Sequence, residues 1–103
     1  MTVGEVEMFD VLEKFTTKYR FPDGVRVSVL HRYALRIEMN ERQFSIGFER
    51  ALEPGVGRLI HENSIEVLSA KNGVKGVASG EAAEILSRVV RYCEVKGLTY
   101  RIV

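Results

Sequence analysis

The chain has 103 residues, of which 46% are hydrophobic and 28% are charged, so we expect a single domain, residues 1–103, built around one core. The formal net charge of +1 excludes attraction of polyanions by overall charge, and a nucleic-acid site would need local clusters of basic residues. The single cysteine, Cys93, excludes an internal disulfide. Because no apolar run approaches the roughly 18 residues of a membrane span and no signal peptide is recognisable, we expect a cytoplasmic protein without membrane partners.

The first predicted element is a helix from about Val3 to Tyr19. Thr2 and Glu5 have the spacing of a capping box at its start. Apolar side chains then recur at near-helical spacing, at Val6, Phe9, Leu12, Phe15 and Tyr19. Pro22 and the turn pair Asp23-Gly24 end this helix.

Apolar side chains occupy nearly every second position from Val25 to Glu49, which is typical of half-buried strands. One strand of that length would be unusually long, so we predict a three-strand meander. A first turn at His31, Arg32 and Tyr33 pairs Val25 with Met39, Val27 with Ile37, Val29 with Leu35, Arg26 with Glu38 and Ser28 with Arg36. A second turn at Asn40 and Glu41 pairs Ile37 with Phe44, Leu35 with Ile46, Glu38 with Gln43, Arg36 with Ser45 and Ala34 with Gly47. Both members of every pair then share one face of the sheet.

The region after the meander is less determined. A loop at 52–57 precedes a short predicted strand from Arg58 to His61, and residues 63–71 fit either a strand or a helix. The strand interpretation pairs Ile65 to Ala70 with Val74 to Ala78 through an Asn72-Gly73 turn. The helical interpretation uses Asn63 as the N-cap. We favour the strand.

A second helix is predicted from about Gly80 to Lys96, with Ser79 as its N-cap and Gly97 at its end. Its buried stripe would consist of Ala82, Ile85, Leu86, Val89 and Cys93. A short strand, Thr99 to Val103, closes the chain. We therefore predict an α+β fold, a two-layer sandwich of a mainly antiparallel sheet of about five to seven strands with two helices on one face, in the order α-β-β-β-(β-β-β)-α-β.

Three arginines, Arg26, Arg32 and Arg36, share the polar face of the predicted meander and could contact phosphates. Glu38 is expected to face Arg26, and Glu49 to face Arg32, so carboxylates neutralise part of this charge. No aromatic residue is predicted on this face to stack a base. Charged strand faces are more commonly solvated or in contact with a subunit than bound to nucleic acid.

A second basic cluster consists of Lys71 and Lys75 in the glycine-containing connection before the second helix. There, Gly73-Val74-Lys75-Gly76 fits the GxxG pattern with which KH domains clamp a nucleic-acid backbone. If residues 63–71 were helical, the element order would also loosely resemble a type II KH domain with one extra strand. The isoleucine that usually follows the motif is absent, however, and as a hairpin turn the same residues need no ligand. We favour the turn.

Few residues could carry catalysis: His31, His61 beside Glu62, and Cys93. Ile65 stands where the His-Glu-x-x-His zinc motif would need its second histidine, and Cys93 is expected in the core as an inert apolar residue. We therefore expect no catalytic residues, no metal and no cofactor. A further hypothesis is a ligand pocket between the first helix and the sheet, lined by Phe9, Phe15, Tyr33 and Phe48, whose ligand the sequence does not identify.

Two functional hypotheses follow from these patterns. The leading one is a small non-enzymatic module that binds RNA or DNA through Arg26, Arg32, Arg36, Lys71 and Lys75. The alternative is a homo-oligomeric structural or protein-interaction domain with no nucleic-acid role, assembled through a sheet face or an open sheet edge. Homo-oligomer formation is expected in addition to either role.

Overall fold

The computed structural model describes residues 17–70 and 76–103. They form six strands and one helix, which we number in chain order: β1 Lys18–Arg20, β2 Arg26–His31, β3 Ala34–Met39, β4 Arg42–Arg50, β5 Arg58–Ala70, α1 Ser79–Lys96 and β6 Tyr100–Ile102. The strands make one sheet in the order β1-β2-β3-β4-β5-β6. All neighbours are antiparallel except β5 and β6, which α1 connects in parallel.

The predicted two-helix sandwich is wrong. The described residues instead form a curled, mixed six-stranded sheet with a single helix. The end of the first predicted helix is strand β1, in which Tyr19 lies opposite Val27 and packs edge-on against Phe21 at 4.9 Å. A single apolar residue at the end of a periodic run fits a strand as well as a helix, which is why the pattern misled. The remainder of that predicted helix, residues 3–16, lies outside the described residues.

The predicted meander is confirmed in both hairpins. The pairs Arg26 with Glu38, Val27 with Ile37, Ser28 with Arg36 and Val29 with Leu35 form as predicted, and so do all five pairs predicted between β3 and β4. The first turn differs in detail, because the register shifts between Val29 and His31 and leaves Arg32 and Tyr33 as the connection. At the second turn Asn40 and Glu41 have φ values of 55° and 59°, the left-handed geometry of a tight primed turn, although neither is glycine.

Residues 58–70 form one strand, so the strand interpretation of this region is confirmed and the helix is excluded. The strand is irregular: Ser45 pairs with Glu66 whereas Gly47 pairs with His61, so β5 bulges between these two contacts. The bulge is held by Ser64, whose Oγ accepts a 2.6 Å hydrogen bond from the Gly47 backbone N–H. The predicted partner strand at 74–78 is wrong for Gly76 to Ala78, which are not in a strand, and its other residues lie outside the described part of the chain.

The helix α1 covers one face of the sheet, which we call the inner face. It begins one residue earlier than predicted, after Ala78, and ends at Gly97 in the left-handed conformation with φ 70°. Its fully buried residues Ile85, Val89 and Cys93 meet a core whose largest sheet members are Val27, Leu35, Ile37, Phe44, Ile46 and Ile60. The opposite, outer face carries the polar side chains of the meander. No helix among the described residues is long and apolar enough to cross a membrane.

Candidate functional site

The structure does not bring the predicted nucleic-acid-binding residues together. Arg26 and Arg36 lie on the outer face, whereas Arg32 lies in the turn between β2 and β3. The predicted partner of Arg26 is present, since its Nη1 lies 3.7 Å from Glu38 Oε2. Glu49 does not face Arg32 but accepts a 3.0 Å hydrogen bond from His61 Nε2, which then carries its proton on that nitrogen. Lys71 and Lys75 lie outside the described residues.

A cleft of about 600 Å³ instead opens between the C-terminal end of α1 and the β2–β3 turn. Its lining combines cationic and aromatic side chains from four elements of the chain. The residues are Thr17, Val29, His31, Arg32, Tyr33, Phe48, Glu49, Arg50, Arg58, Tyr92, Lys96 and Leu98. Among these, four are Arg or Lys and one is Glu, so the described lining is strongly basic although the whole chain is nearly neutral.

Arg50 and Arg58 stand directly opposite each other across the antiparallel pair of β4 and β5. Like charges at such a position destabilise a sheet. Neither arginine forms an ion pair within the described part of the chain. Only Arg58 has other stabilising contacts there. Its Nη1 donates to the Gly57 carbonyl at 2.9 Å, and its guanidinium lies 5.9 Å from the centre of the Phe48 ring. Two guanidiniums therefore meet at the cleft, and no carboxylate among the described residues forms an ion pair with either of them.

Arg32 adds a third guanidinium from the turn. Among the described residues its recorded contact is with the adjacent Tyr33 ring, at 5.5 Å from the ring centre. Tyr33 is 58% exposed and meets His31 edge-on at 6.4 Å. The other two aromatic side chains of the cleft, Phe48 and Tyr92, are buried and pack edge to face at 6.2 Å. Tyr33 is therefore the cleft's ring that a ligand can reach most readily.

The back of the cleft is structural. Lys96 is only 7% exposed, and its Nζ donates to the Lys18 carbonyl at 2.8 Å while lying 5.8 Å from the Tyr92 ring centre. In the last turn of α1 its charge also complements the helix dipole. The Tyr92 hydroxyl donates to the Thr17 carbonyl at 3.2 Å, and burial raises the pKa of this phenol above its ordinary value. Lys96 and Tyr92 thus join the helix to the start of β1.

The residues considered for catalysis, His31, His61 and Cys93, lie in structural contacts or in the core. Glu49, His61 and Ser64 are neighbours, but the Ser64 hydroxyl donates to the His61 backbone carbonyl at 2.6 Å rather than to the ring. His31 Nδ1 accepts from the Tyr33 backbone N–H at 3.2 Å. Burial raises the pKa of the Cys93 thiol to about 11, which keeps it protonated and unreactive at neutral pH. No group of three or more His, Cys, Asp or Glu side chains among the described residues could hold a metal ion.

The predicted aromatic pocket corresponds in part to the cleft. Tyr33 and Phe48 line it as expected, whereas Phe9 and Phe15 lie outside the described residues. Arg50 and Arg58 were missed, although one signal was present in the sequence. Arg50 has the same parity along β4 as the core residues Phe44, Ile46 and Phe48, and an arginine on the inner side just past the last core position points into whatever space the core leaves.

Comparisons of the chain with protein-family models, with curated proteins and with solved structures found no match.

Proposed function

We propose that this chain is a small non-enzymatic module that binds nucleic acid, RNA or DNA, in the cleft at the C-terminal end of α1. The observation that carries the proposal is the opposed pair of Arg50 and Arg58, which has no carboxylate partner in the described part of the chain. A phosphate group supplies the negative charge that these guanidiniums lack, and arginine binds it through two parallel hydrogen bonds. Tyr33 supplies an exposed ring beside them, on which a base could stack. Sites that bind single-stranded nucleic acid combine such rings with cations that contact the backbone.

The outer face supports the proposal less. Arg26 already has Glu38 as a partner, and no aromatic side chain is recorded beside it. Arg36 lies between Ser28 and Ser45 on this face and is retained as a secondary candidate for a phosphate contact. Lys71 and Lys75 remain candidates by sequence alone. We expect the main contribution from Arg32, Arg50 and Arg58.

The test is fluorescence anisotropy with labelled 12-nucleotide RNA and DNA of mixed sequence. The variant Arg50→Ala/Arg58→Ala should weaken binding by at least about tenfold and reduce the slope of log affinity against log salt by between one and two. Arg91→Ala is the matched control, because Arg91 is 61% exposed and paired with Glu94 on the outer side of the helix. Absence of binding by the unmodified chain at low salt would refute the proposal, and equal losses in both variants would refute the cleft as its site.

A second candidate function is self-assembly. Strand β5 is longer than its partner β6, which pairs with it from Arg58 to Ile60 and reaches Glu62 through one further hydrogen bond. From Asn63 to Ala70, no described strand pairs with the outer edge of β5. Leu68 forms a further bulge in this segment, because Gln43 pairs with Ser69 and Phe44 with Val67, and Leu68 is 43% exposed. Such an edge can pair with a second copy. Light scattering of the unmodified chain should then show a dimer at high concentration. A Leu68→Lys variant that stays monomeric under the same conditions would support the β5 edge as the dimer contact. A monomeric unmodified chain would refute self-assembly.

A further inference from the structure

The cleft has the size of a pocket and a closed back. Its volume of about 600 Å³ falls in the range of small-molecule pockets, about 300 to 1,000 Å³, which suits one nucleotide better than a continuous stretch of backbone. Behind it, Tyr92 donates to the Thr17 carbonyl at 3.2 Å and Lys96 donates to the Lys18 carbonyl at 2.8 Å, so α1 is joined to the start of β1. A strand could therefore insert its end into the cleft but could not run through it.

The carboxylate of Glu49 does not face the arginine pair, although Glu49 is among the lining residues. Along β4 it has the parity of Gly47, and its Oε1 accepts a 3.0 Å hydrogen bond from His61 Nε2 on the outer face. Arg50 has the opposite parity and stands directly across from Arg58. The two guanidiniums therefore present two positive charges to one small space, and no described carboxylate pairs with either.

Two facing guanidiniums match one kind of phosphate better than another. An internal phosphate of a nucleic acid carries a single negative charge. A terminal phosphate monoester carries about −1.5 to −2 at neutral pH and has three strong acceptor oxygens, so both guanidiniums can donate to it through their planar forks. Only the monoester offsets both charges of the pair with one group.

The nucleotide that carries such a phosphate also finds a surface for its base. Tyr33 lines the same cleft and is 58% exposed, and the Arg32 guanidinium lies 5.5 Å from the centre of its ring. Proteins stack unpaired bases on aromatic rings and on guanidinium planes. One terminal nucleotide would thereby engage both kinds of contact that the cleft offers.

We infer that the cleft binds the phosphorylated end of a single strand, with the terminal phosphate between Arg50 and Arg58 and the terminal base against Tyr33. This inference rests on the proposed function and narrows its ligand from a strand to the end of a strand. A strand that ends in a hydroxyl binds more weakly, because it brings only singly charged internal phosphates to the arginine pair.

The experiment compares 12-nucleotide strands of one mixed sequence that differ only at one end, each made as RNA and as DNA. One set has a phosphate, a methyl-esterified phosphate or a hydroxyl at the 5′ end and a fluorescent label at the 3′ end, and a second set has the reverse arrangement. In at least one set, anisotropy at constant salt should show the phosphate probe binding at least about tenfold more tightly than the hydroxyl probe, the effect of one added hydrogen bond between charged groups. The methyl ester carries a single charge and should bind nearly as weakly as the hydroxyl probe.

Arg50→Met provides the decisive variant, because it leaves one guanidinium and the preference for the phosphate probe over the hydroxyl probe should fall towards one. Arg91→Met is the matched control, since it removes the same charge on the outer side of the helix, where Arg91 pairs with Glu94, and it should leave the preference unchanged.

Three results would each overturn the inference while leaving nucleic-acid binding intact. They are equal binding of the phosphate and hydroxyl probes by the unmodified chain, a methyl ester bound as tightly as the free phosphate, and a preference that changes equally, or not at all, in Arg50→Met and Arg91→Met. Failure of every probe to bind at low salt would instead overturn the proposed function.

Discussion

The arginines at the two ends of the sheet differ in whether they form ion pairs. At the N-terminal end of α1, Arg42 is 8% exposed, and its Nη1 donates to Glu81 Oε1 at 2.6 Å while its Nη2 donates to the Gly76 carbonyl at 2.5 Å. At the C-terminal end, Arg50 and Arg58 face each other and no described carboxylate pairs with either. The first arrangement holds a helix to a hairpin, whereas the second has only the contacts of Arg58 with the Gly57 carbonyl and the Phe48 ring.

The same contrast appears in the cavities at the two ends. A second cavity of about 510 Å³ lies beside the β3–β4 turn, and its described lining has two arginines and four acidic residues: Arg26, Arg42, Asp23, Glu38, Glu41 and Glu84. The helix dipole favours acidic residues at its N-terminus and basic residues at its C-terminus, and Glu81 and Lys96 satisfy it. The dipole does not explain two opposed arginines on the sheet. Unpaired charge, and not basic charge as such, is what distinguishes the proposed binding cleft from the structural contact at the other end of the sheet.

The largest expected effect is at the paired end. Arg42→Met should lower the free energy of unfolding by about 3 kcal/mol, because it removes the buried member of the ion pair and leaves the partly buried Glu81 carboxylate without its arginine. Urea denaturation followed by circular dichroism measures this change. Arg26→Ala is the matched control, since its ion pair is exposed and 3.7 Å long, and should cost less than about 0.5 kcal/mol. Similar decreases in the free energy of unfolding in the two variants would mean that the ion pair of Arg42 stabilises the fold no more than an exposed ion pair does.

At the cleft end, the stability of the fold is expected to depend on close packing around the backbone of Gly47. A Cβ on Gly47 would lie 2.8 Å from Ser64 Oγ and 3.0 Å from His61 Cβ, so Gly47→Ala should cost about 2 kcal/mol through overpacking of the β5 bulge. Denaturant titration tests this, with Gly80→Ala as the control at a helical glycine that has open space around it. A Gly47→Ala variant as stable as the original chain would show that the bulge adapts freely.

Acid should affect the paired end first. The hydrogen bond from Arg42 lowers the pKa of Glu81 from 4.5, and that from Arg88 lowers the pKa of Asp23 from 3.8. A depressed folded-state pKa stabilises the fold above the unfolded-state value, and this contribution is lost as pH falls through the folded-state value. Stability should therefore decline below about pH 4.5. Glu81→Gln should reduce that decline in urea titrations at successive pH values, and an identical decline in the two chains would contradict this assignment.

Parity along the chain predicted the meander because its two hairpins are short and regular, and every residue keeps its face. The region after it could not be predicted in the same way. The register of β4 against β5 depends on bulges at Leu68 and around Ser64. The bulge around Ser64 is held by the hydrogen bond between Ser64 and Gly47, two residues far apart in sequence. Without that register, the opposition of Arg50 and Arg58 could not be derived.

The candidate site was predicted only in part for a related reason. The sequence placed Arg26, Arg32 and Arg36 on one face by parity, but Arg32 lies in the turn between β2 and β3, where the alternation of the strands does not apply. It also gave Glu49 to Arg32, whereas β5 brings His61 to that carboxylate. Ion-pair partners across a sheet depend on which strands become neighbours. Because a loop separates β4 from β5, the sequence did not show that β5 pairs with β4. Tyr33 and Phe48 were predicted to line a pocket between the first helix and the sheet, and both line the observed cleft.

The smallest expected effect decides whether the contrast between the ends is real. Arg50→Met removes one of two opposed like charges and leaves no carboxylate behind, so it should raise the free energy of unfolding by up to about 0.5 kcal/mol, opposite in sign to Arg42→Met. Added salt screens the repulsion in the original chain, and the difference between the two chains should therefore shrink as salt increases. Urea titrations at low and high salt measure both effects. A loss in Arg50→Met approaching that in Arg42→Met would make Arg50 a structural residue, and the argument from unpaired charge to a binding cleft would fail with it.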